Sequence, residues 1–449
     1  MTKVVTFGCR LNSYESEVIK AKIQKAGLND DVAVFNTCSV TKEAEKEAIR
    51  SIKKFKKHNP NSKIVVTGCA AQINPNTFAE MESVSFVFGN VEKLTDTPYN
   101  IIKNGLKSNN EAVNSSHTRH EDKIFFNSRA KTQEHHDKIL VNDIMSIKQT
   151  YFSNVVSSFE NKTRAFLEIQ NGCNHRCTFC IIPFARGNSR SVPFGILAQE
   201  IQKLVNNGYQ EVVLTGVDIT DYGKDLPGGL TLGKMVKRLL NHIPNLPRLR
   251  LSSVDVAEID EDIFYLLRHE PRFMPYFHIS LQSGDNLILK RMKRRHSRED
   301  VLNFVQKVRE IRSDAAFGAD IISGFPTETK DQFLNSKNLI IEAGISFCHI
   351  FSFSPHDGTP AAKMPQIEKS IIKQRTKELI EEGKNELKKL LNSMIEKEFF
   401  VLCESNTLAR CHNFATGVIT NATQDFSGQI VRVKAVGVKD EKLIFELIN

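Results

Sequence analysis

The apolar positions of the N-terminal part of the chain alternate between short runs and longer amphipathic stretches. The runs at 4–8, 32–38 and 63–69 have the length and β-branched content of buried strands, whereas 13–26 and 42–58 have helical spacing. Strands separated by helices of this length are typical of a parallel sheet. The pattern therefore predicts an N-terminal parallel α/β domain, and each of its three strands leads into a cysteine.

Six more strands are predicted in the middle of the chain, again with helices between them. They are AFLEIQ (165–170), EVVLTG (211–216), RLRLSS (248–253), YFHISLQ (276–282), AFGADIISG (316–324) and FCHIFSFS (347–354). Consecutive β/α units of this kind predict a parallel barrel or part of one. We therefore expect a central, partial (β/α)6 barrel.

The C-terminal part of the chain changes texture. A long charged helix is predicted over 371–398, and short strands separated by Gly and Asn follow it. Such strands predict a small all-β barrel. Between the two α/β regions, from about 103 to 160, the periodicity decays into Asn-, Ser-, His- and Gln-rich sequence, which predicts a linker with at most one short helix.

Composition narrows the class of protein. The 449 residues are 40% hydrophobic and 25% charged, as in soluble chains of several domains. No run approaches the roughly 18 apolar residues of a membrane span, and the N-terminus becomes polar too early for a secretory signal, so we expect a cytoplasmic protein. The net charge of +9 favours a polyanionic partner such as nucleic acid.

Three of the nine cysteines lie on one short loop. In a reducing compartment, cysteines are better explained as metal ligands, catalytic thiols or core residues than as disulfides. Cys173, Cys177 and Cys180 form a C-x3-C-x2-C array after a predicted strand. Such an array can bind three irons of a [4Fe–4S] cluster and leave the fourth iron open for S-adenosylmethionine (SAM). Zinc is the competing metal, but its fourth ligand would have to be His175, whose reach within the same loop is poor.

Cys9, Cys38 and Cys69 are far apart in sequence, but each follows a predicted strand of the N-terminal domain. The carboxyl ends of parallel strands meet at one edge of a sheet, so a second three-cysteine metal site is expected there. The alternative is that all three are small buried residues that merely end strands. The remaining cysteines have no such pattern and are expected to be core or surface residues.

Longer segments around these cysteines resemble the methylthiotransferase family of radical SAM enzymes. The segments are TFGCRLNSYESE, NTCSVT, TGCAAQ, GCNHRCTFCIIPFARGNSRS, FHISLQSGDNLILKRMKRRHSRED and GADIISGFPTET. The resemblance covers essentially the whole chain. It implies a methylthiotransferase N-terminal domain at 1–106, a linker at 107–158, a radical SAM core at 159–388 and a TRAM-like, nucleic-acid-binding β-barrel at 391–449.

The resemblance also implies a reaction. Cys173, Cys177 and Cys180 would hold the [4Fe–4S] cluster that cleaves SAM, and a second [4Fe–4S] cluster on the N-terminal cysteines would carry the added sulfur. Within the family, the sequence most resembles the branch that methylthiolates C2 of N6-threonylcarbamoyladenosine beside the anticodon of tRNA. Branches that act on isopentenyladenosine in tRNA or on an aspartate of a ribosomal protein share both cysteine sets. The alternative outside the enzymes is a metal-containing module that binds tRNA without enzyme activity.

Further contacts are expected on the same grounds. The candidates for SAM binding follow the barrel strands: Gly216, Asp218, Ser252, Gln282, Gly324 and Glu328. The candidates for phosphate contacts lie in two basic segments: Arg186, Arg190, Arg291, Arg294 and Arg295. A low-potential electron donor such as flavodoxin or ferredoxin is implied, and we expect a monomer or a weak dimer.

Overall fold

A computed structural model describes residues 3–28, 32–104, 138–150 and 163–448. Contacts divide the chain into two compact units. The first comprises the described residues of Met1–Ser157 together with Asn171–His175 and Cys180–Arg190, and the second comprises the described residues of Ser158–Gln170, Arg176–Phe179 and Ser191–Asn449. Within the described ranges, no helix is both long and apolar enough to cross a membrane.

The first unit is built on a five-stranded parallel sheet of order β1-β2-β3-β4-β5. Its strands are β1 (Lys3–Thr6), β2 (Val32–Thr37), β3 (Lys63–Gly68), β4 (Phe86–Phe88) and β5 (Ile139–Leu140). Its helices are α1 (Arg10–Ala26), α2 (Lys42–His58), α3 (Cys69–Ile73), α4 (Pro75–Ala79), α5 (Thr97–Asn104) and α6 (Ile182–Arg186). The predicted parallel α/β domain is thereby confirmed.

Local sequence explains where these helices begin and end. Thr41 caps α2 by accepting a hydrogen bond from the backbone N of Ala44, and Glu43 and Glu45 lie in the first turn of the helix. Helix α1 ends at Ala26 and is capped by Gly27, whose φ of +67° favours glycine. All six residues of β2 are buried, and the first four of them are apolar.

The second unit contains the partial barrel. Its strands are β6 (Arg164–Asn171), β8 (Glu211–Gly216), β9 (Arg248–Leu251), β10 (Ser253–Val254), β11 (Tyr276–Gln282), β12 (Ala316–Ser323) and β13 (Ile345–Ser352), and the two-residue β7 (Arg190–Ser191) lies at the boundary of the units. Its helices are α7 (Phe194–Asn206), α8 (Leu232–His242), α9 (Glu261–His269), α10 (Asn286–Met292), α11 (Arg298–Ile311), α12 (Lys330–Glu342) and α13 (Lys369–Ser393).

The strands β6, β8 and β9 pair in parallel, and so do the strands β10 to β13. Strand β8 pairs with β6 and β9, and β11 and β12 continue the arc from β10 to β13. Only Ser252 separates β9 from β10, so the two sheets follow each other along one chain segment. Each predicted strand is present, which confirms the central β/α architecture.

Two sequence expectations differ from the structure. The long helix was predicted to reach residue 398, but α13 ends at Ser393, and Glu396 has a φ of +67°, which no helix accommodates. The segment expected to be a linker contributes the edge strand β5, which pairs with β4. A two-residue strand has too little periodicity to be found from sequence. Most of the rest of the predicted linker lies outside the described residues.

A closed β-barrel ends the chain, as predicted. Its order is β14-β15-β16-β18-β17. Its strands are β14 (Glu398–Cys403), β15 (Leu408–Arg410), β16 (Thr416–Ile419), β17 (Ile430–Lys439) and β18 (Lys442–Leu447). The interior is apolar and includes Cys403, Cys411 and Phe445. These two cysteines are therefore core residues.

The C-terminal barrel packs against the amino ends of the central strands. Arg248 and Arg250 of β9 donate to the backbone carbonyls of Phe400 (2.7 Å) and His412 (3.0 Å). Tyr276, the first residue of β11, stacks on Phe414 with ring centroids 4.3 Å apart. The C-terminal barrel thus covers the amino ends of the central strands, and a ligand site is expected at their carboxyl ends.

We predict that Glu211→Gln destabilises the second unit by about 3–5 kcal/mol, because it leaves a buried cation without its partner. Glu211 and Arg250 are both fully buried and form a bidentate pair at 2.9 and 3.1 Å. The midpoint of urea unfolding at neutral pH measures this change. Glu398→Gln is the control, since its pair with Arg432 is half-exposed and should contribute under about 1 kcal/mol. Equal effects of the two substitutions would contradict the prediction.

The same pair predicts a dependence on pH. Burial raises the pKa of Glu211, but the charges of Arg250 and Arg164 outweigh burial and hold the pKa at about 2, below its ordinary value of 4.5. A lowered pKa in the folded state stabilises the protein above pH 4.5, and this contribution is lost as the pH falls towards 2. The difference in unfolding midpoint between wild type and Glu211→Gln should therefore shrink between pH 4.5 and pH 2.

Candidate metal centres

The three N-terminal cysteines lie at the carboxyl ends of three neighbouring strands. Cys9 is the N-cap residue of α1, Cys38 directly follows β2, and Cys69 is the first residue of α3, directly after β3. The side chain of Asn12 holds two of these strand ends together, because its Nδ2 donates to the carbonyls of Phe7 (2.7 Å) and Thr37 (3.0 Å). The topology thus gathers the three cysteines at one edge of the sheet.

The three thiol groups are close enough to influence one another. Burial, together with the neighbouring Cys69 and Cys9, raises the pKa of the Cys38 thiol to about 12. Thiols that oppose one another's ionisation become stable thiolates when a cation binds between them. All nine cysteines of the chain are reduced. The donor set therefore fits a soft metal or an iron–sulfur cluster.

Arg186 and Lys93 are two buried cations next to this cysteine set. The Nε of Arg186 lies 3.2 Å from the Sγ of Cys69, and the side chain is only 2% exposed. Glu15 accepts from both nitrogens of the Arg186 fork and from Lys93 Nζ (2.6 Å). Burial raises the pKa of Glu15, but the charges of Arg186 and Lys93 outweigh burial and lower it. Glu15 is therefore ionised.

The charge of Arg186 is the main positive charge of this buried network, and Glu15 is its main negative charge. Burial lowers the pKa of Lys93, although the charge of Glu15 opposes this shift, so Lys93 adds at most one further positive charge. The next acid, Glu92, is 1% exposed, and burial raises its pKa, which favours the neutral carboxyl. A buried positive charge is costly unless an anion neutralises it. An iron–sulfur cluster held by thiolates supplies such an anion, so the surroundings as well as the donors fit a cluster.

Glycines before the cysteines were missed from sequence. Gly8 precedes Cys9 with a φ of +89°, and a Cβ there would stand 2.6 Å from the Sγ of Cys38. Gly68 precedes Cys69 with a φ of +96°, and a Cβ there would collide with the backbone of Thr37. A side chain would block both turns. The repeated Gly-Cys dipeptide, visible in the sequence, was the signal that could have identified these glycines.

The second cysteine set lies on the loop after β6. Cys177 is buried, and Arg294 Nη1 lies 3.7 Å from its Sγ. Asp255 orients Arg294 by accepting from its Nη2 (2.7 Å), and His296 Nδ1 lies 3.2 Å from the other Asp255 oxygen. Burial raises the pKa of Asp255, but His296 and Arg294 hold it at about 2. The Asp255 carboxylate is thus ionised where it pairs with Arg294.

Backbone hydrogen bonds hold this loop in place at several points. Thr178 bonds through its backbone N to the carbonyl of Met292 (3.1 Å) and through Oγ1 to the carbonyl of Arg291 (2.8 Å). Within the first unit, Cys173 N donates to the carbonyl of Gly187 (3.0 Å). These bonds fix the backbone at Cys173 within the first unit and at Thr178 within the second, and the short spacing of the three cysteines suits a three-cysteine cluster with one open iron.

The predicted SAM residues lie at the carboxyl ends of the central strands, as expected. Gly216 and Gln282 end β8 and β11, and Gln282 has a φ of +70°, a strained backbone for a non-glycine residue. Ser252 is 5% exposed, and within the described part of the chain its Oγ has no hydrogen-bond partner. Such strain and an orphaned hydroxyl are typical of a ligand site. Glu328 accepts from Arg375 (2.7 Å) and Gly324 N (3.2 Å), and its contact with SAM stays a prediction.

Sequence reasoning missed Gln170 in this region. Its Oε1 accepts hydrogen bonds from the backbone N of Val217 (3.1 Å) and of Asp218 (2.9 Å). Gln170 thereby fixes the turn after β8 that carries Asp218. The residue lies inside a predicted strand and has no sequence signal of its own.

The structure contradicts part of the predicted RNA contacts. Arg186 and Arg190 are 2% and 4% exposed, and Arg190 donates to the carbonyls of Asn188 and Arg186. Arg294 is also buried, against Asp255 and Cys177. These three guanidinium groups are buried and bonded to groups of the protein, so they do not face a phosphate at the surface. Arg295, with a 43% exposed side chain, and Arg291 stay predictions.

Comparisons with known proteins agree with this description. A family model described as the Radical SAM superfamily matches residues 167–340, and one described as Uncharacterized protein family UPF0004 matches residues 2–89. A solved structure of the radical S-adenosylmethionine methyltransferase TsrM from Kitasatospora setae, with cobalamin and a [4Fe-4S] cluster bound, has a TM-score of 0.53 at 14% identity. The match covers 77% of this chain and 66% of that chain, and it supports the fold alone.

Relatives with higher identity match nearly the whole chain. A Rickettsia prowazekii protein named threonylcarbamoyladenosine tRNA methylthiotransferase MtaB is 47% identical over 98% of this chain and 95% of that protein. A Thermotoga maritima protein of the same name is 35% identical, covering 90% and 86%. A Clostridium botulinum protein named tRNA-2-methylthio-N(6)-dimethylallyladenosine synthase is 30% identical, covering 99% and 96%.

We predict that Glu15→Gln lowers the stability of the first unit by about 3–5 kcal/mol, because Arg186 and Lys93 would then lie buried without a countercharge. Thermal unfolding of the metal-free protein measures this effect without any contribution from a cluster. Glu17→Gln on the same helix is the matched control, since among the described residues Glu17 pairs with the partly exposed Lys20 at 3.3 Å. Equal unfolding temperatures of the two variants would contradict a stabilising role of the Glu15–Arg186–Lys93 network.

Proposed function

Because the chain belongs to the radical SAM methylthiotransferase family, we propose that it methylthiolates C2 of N6-threonylcarbamoyladenosine beside the anticodon of tRNA. The observation that carries this proposal is the pair of three-cysteine sets, each with a buried arginine directed at one of its sulfurs. The 47% identity to a relative named for this substrate supports the choice of branch. Relatives named for dimethylallyladenosine are more distant, at 30%.

Each cysteine set has a distinct task in the proposal. Cys173, Cys177 and Cys180 would hold a [4Fe–4S] cluster with SAM on its open iron, and Cys9, Cys38 and Cys69 would hold the second cluster. Together these groups supply a radical that removes a hydrogen atom and a sulfur centre that donates the methylthio group. No side-chain base can replace this chemistry, because the C2–H bond of adenine is too weakly acidic for general base catalysis near neutral pH.

The chain's own residues orient SAM. Gly216, Asp218, Ser252, Gln282 and Gly324 are proposed to contact it, since they surround the carboxyl ends of β8 to β12. Gln170 holds the backbone around Asp218, and the strained φ of Gln282 fixes the direction of its side chain. Contacts from several strands restrict SAM to one orientation, which is how a barrel positions a reactive group.

Binding of tRNA is proposed to use basic residues at the surface. Arg291, in the last turn of α10, is partly buried, and Arg295, shortly after this helix, is exposed. The net charge of +9 favours a nucleic-acid partner. The C-terminal barrel is proposed to act as the TRAM-like RNA-binding domain. A low-potential flavodoxin or ferredoxin is the proposed electron donor.

Alanine variants of the cysteines separate the two tasks. Cys177→Ala should abolish SAM cleavage and all modification, because the remaining two thiols of the loop cannot hold the cluster. Cys38→Ala should retain SAM cleavage but lose methylthiolation. Deoxyadenosine formation and nucleoside mass analysis measure the two steps on anaerobically reconstituted protein.

Cys348→Ala is the control for these variants, since Cys348 lies on β13 outside both sets. Wild-type protein and this control should each bind about eight irons per chain, as two four-iron clusters require. Full tRNA modification by Cys38→Ala would show that the N-terminal assignment is wrong. Zinc in place of iron would favour the non-enzymatic tRNA-binding module.

The substrate can be identified in cells. Deleting the gene should remove the methylthio form of threonylcarbamoyladenosine from tRNA and leave the methylthio form of isopentenyladenosine intact. Mass spectrometry of digested tRNA measures both nucleosides. The opposite pattern would assign the chain to the isopentenyladenosine branch, and unchanged tRNA would direct the search to a ribosomal-protein substrate.

A further inference from the structure

We propose that two buried arginines, Arg186 and Arg294, tune the reduction potentials of the two clusters, each by donating a hydrogen bond to one ligand sulfur. The inference rests on the proposed function, because both cysteine sets must hold clusters. Arg186 serves Cys69 of the N-terminal set, and Arg294 serves Cys177 of the loop set. Both are positioning residues that act through a ligand.

The guanidinium of Arg186 is directed at the sulfur by its other contacts. Glu15 accepts from Nη1 and Nη2, and Asn12 Oδ1 lies 2.6 Å from Nη2. The remaining donor, Nε, is 3.2 Å from the Sγ of Cys69. Because the guanidinium is planar and rigid, fixing two nitrogens also fixes the direction of the third.

Arg294 is held in a similar way in the second unit. Its Nη2 donates to Asp255 (2.7 Å) and to the carbonyl of Ser280 (2.8 Å), which leaves Nη1 directed at Cys177 Sγ at 3.7 Å. The side chain is 9% exposed. The two units therefore use the same arrangement, in which a carboxylate orients an arginine and the arginine donates to a cysteine ligand.

This arrangement acts on the redox equilibrium of a cluster. Reduction adds a negative charge to the cluster, and donors to the sulfurs stabilise that charge, so they raise the potential. Each guanidinium is paired with one carboxylate, Arg186 with Glu15 and Arg294 with Asp255. The contact of Arg186 with its cysteine sulfur is shorter, at 3.2 Å, than that of Arg294, at 3.7 Å. We therefore expect the larger effect at the N-terminal cluster.

Single-cluster proteins allow each potential to be measured by itself. Cys177→Ala should retain only the N-terminal cluster, and Cys38→Ala only the loop cluster. Arg186→Gln and Arg294→Gln are made in both backgrounds, and iron content and EPR-monitored redox titration are the readouts. Arg250→Lys is the control, since Arg250 is a buried arginine paired with Glu211 and bonded to no cysteine sulfur among the described contacts.

Arg186→Gln should lower the reduced-to-oxidised ratio of the N-terminal cluster about tenfold at a fixed potential, which is about 59 mV for a one-electron couple. It should leave the loop cluster unchanged. Arg294→Gln should have the reverse selectivity and a smaller effect. Arg250→Lys should move neither potential.

The outcomes separate this inference from the proposed function. Unchanged potentials at full iron content would overturn the inference and leave the proposed function intact. Absence of any cluster from Cys177→Ala would instead contradict the N-terminal cluster itself. If Arg186→Gln loses iron, Arg186→Lys is measured instead, because lysine keeps the positive charge without the planar guanidinium. A smaller decrease of the reduction potential in this variant would support tuning. A renewed loss of iron would assign Arg186 a purely structural role.

Discussion

Glu15 is the buried carboxylate that pairs with both cations beside the candidate N-terminal metal centre. It accepts hydrogen bonds from both Arg186 and Lys93, and all three side chains are almost completely excluded from solvent. Burying charged groups can cost more than their mutual attraction returns. The positive charge of Arg186, 3.2 Å from the Sγ of Cys69, stabilises a thiolate there and any anionic cluster that it helps to hold. Stability and chemistry are thus coupled through one side chain.

The parallel arrangement of strands explains where the candidate N-terminal metal centre lies. The loops after β1, β2 and β3 meet at one edge of the sheet, so cysteines that are distant in sequence become neighbours. The C-terminal barrel occupies the amino end of the central strands through Arg248, Arg250 and Tyr276. Covering this end with polar and aromatic contacts leaves the carboxyl ends of the strands for SAM.

The two cysteine sets place different demands on the fold. Cys173, Cys177 and Cys180 are close because the chain between them is short, and anchors such as Thr178 only fix the shape of their loop. Cys9, Cys38 and Cys69 are close only because β1, β2 and β3 are adjacent in the sheet. Disturbing the register of that sheet would separate the N-terminal cysteines, whereas the three loop cysteines would stay close together.

Sequence alone determined the order of strands and helices, the two cysteine sets and the family, because hydrophobic period and ligand spacing are local properties. Tertiary structure decided what the basic residues do. Arg186 and Arg294 stand in cationic segments that indicate RNA contacts, yet each is buried against a carboxylate, Glu15 or Asp255, and directed at a cysteine. Those carboxylates belong to distant parts of the chain. A sequence records the charge of an arginine, but only the packing of remote elements determines whether that charge faces solvent or a metal ligand.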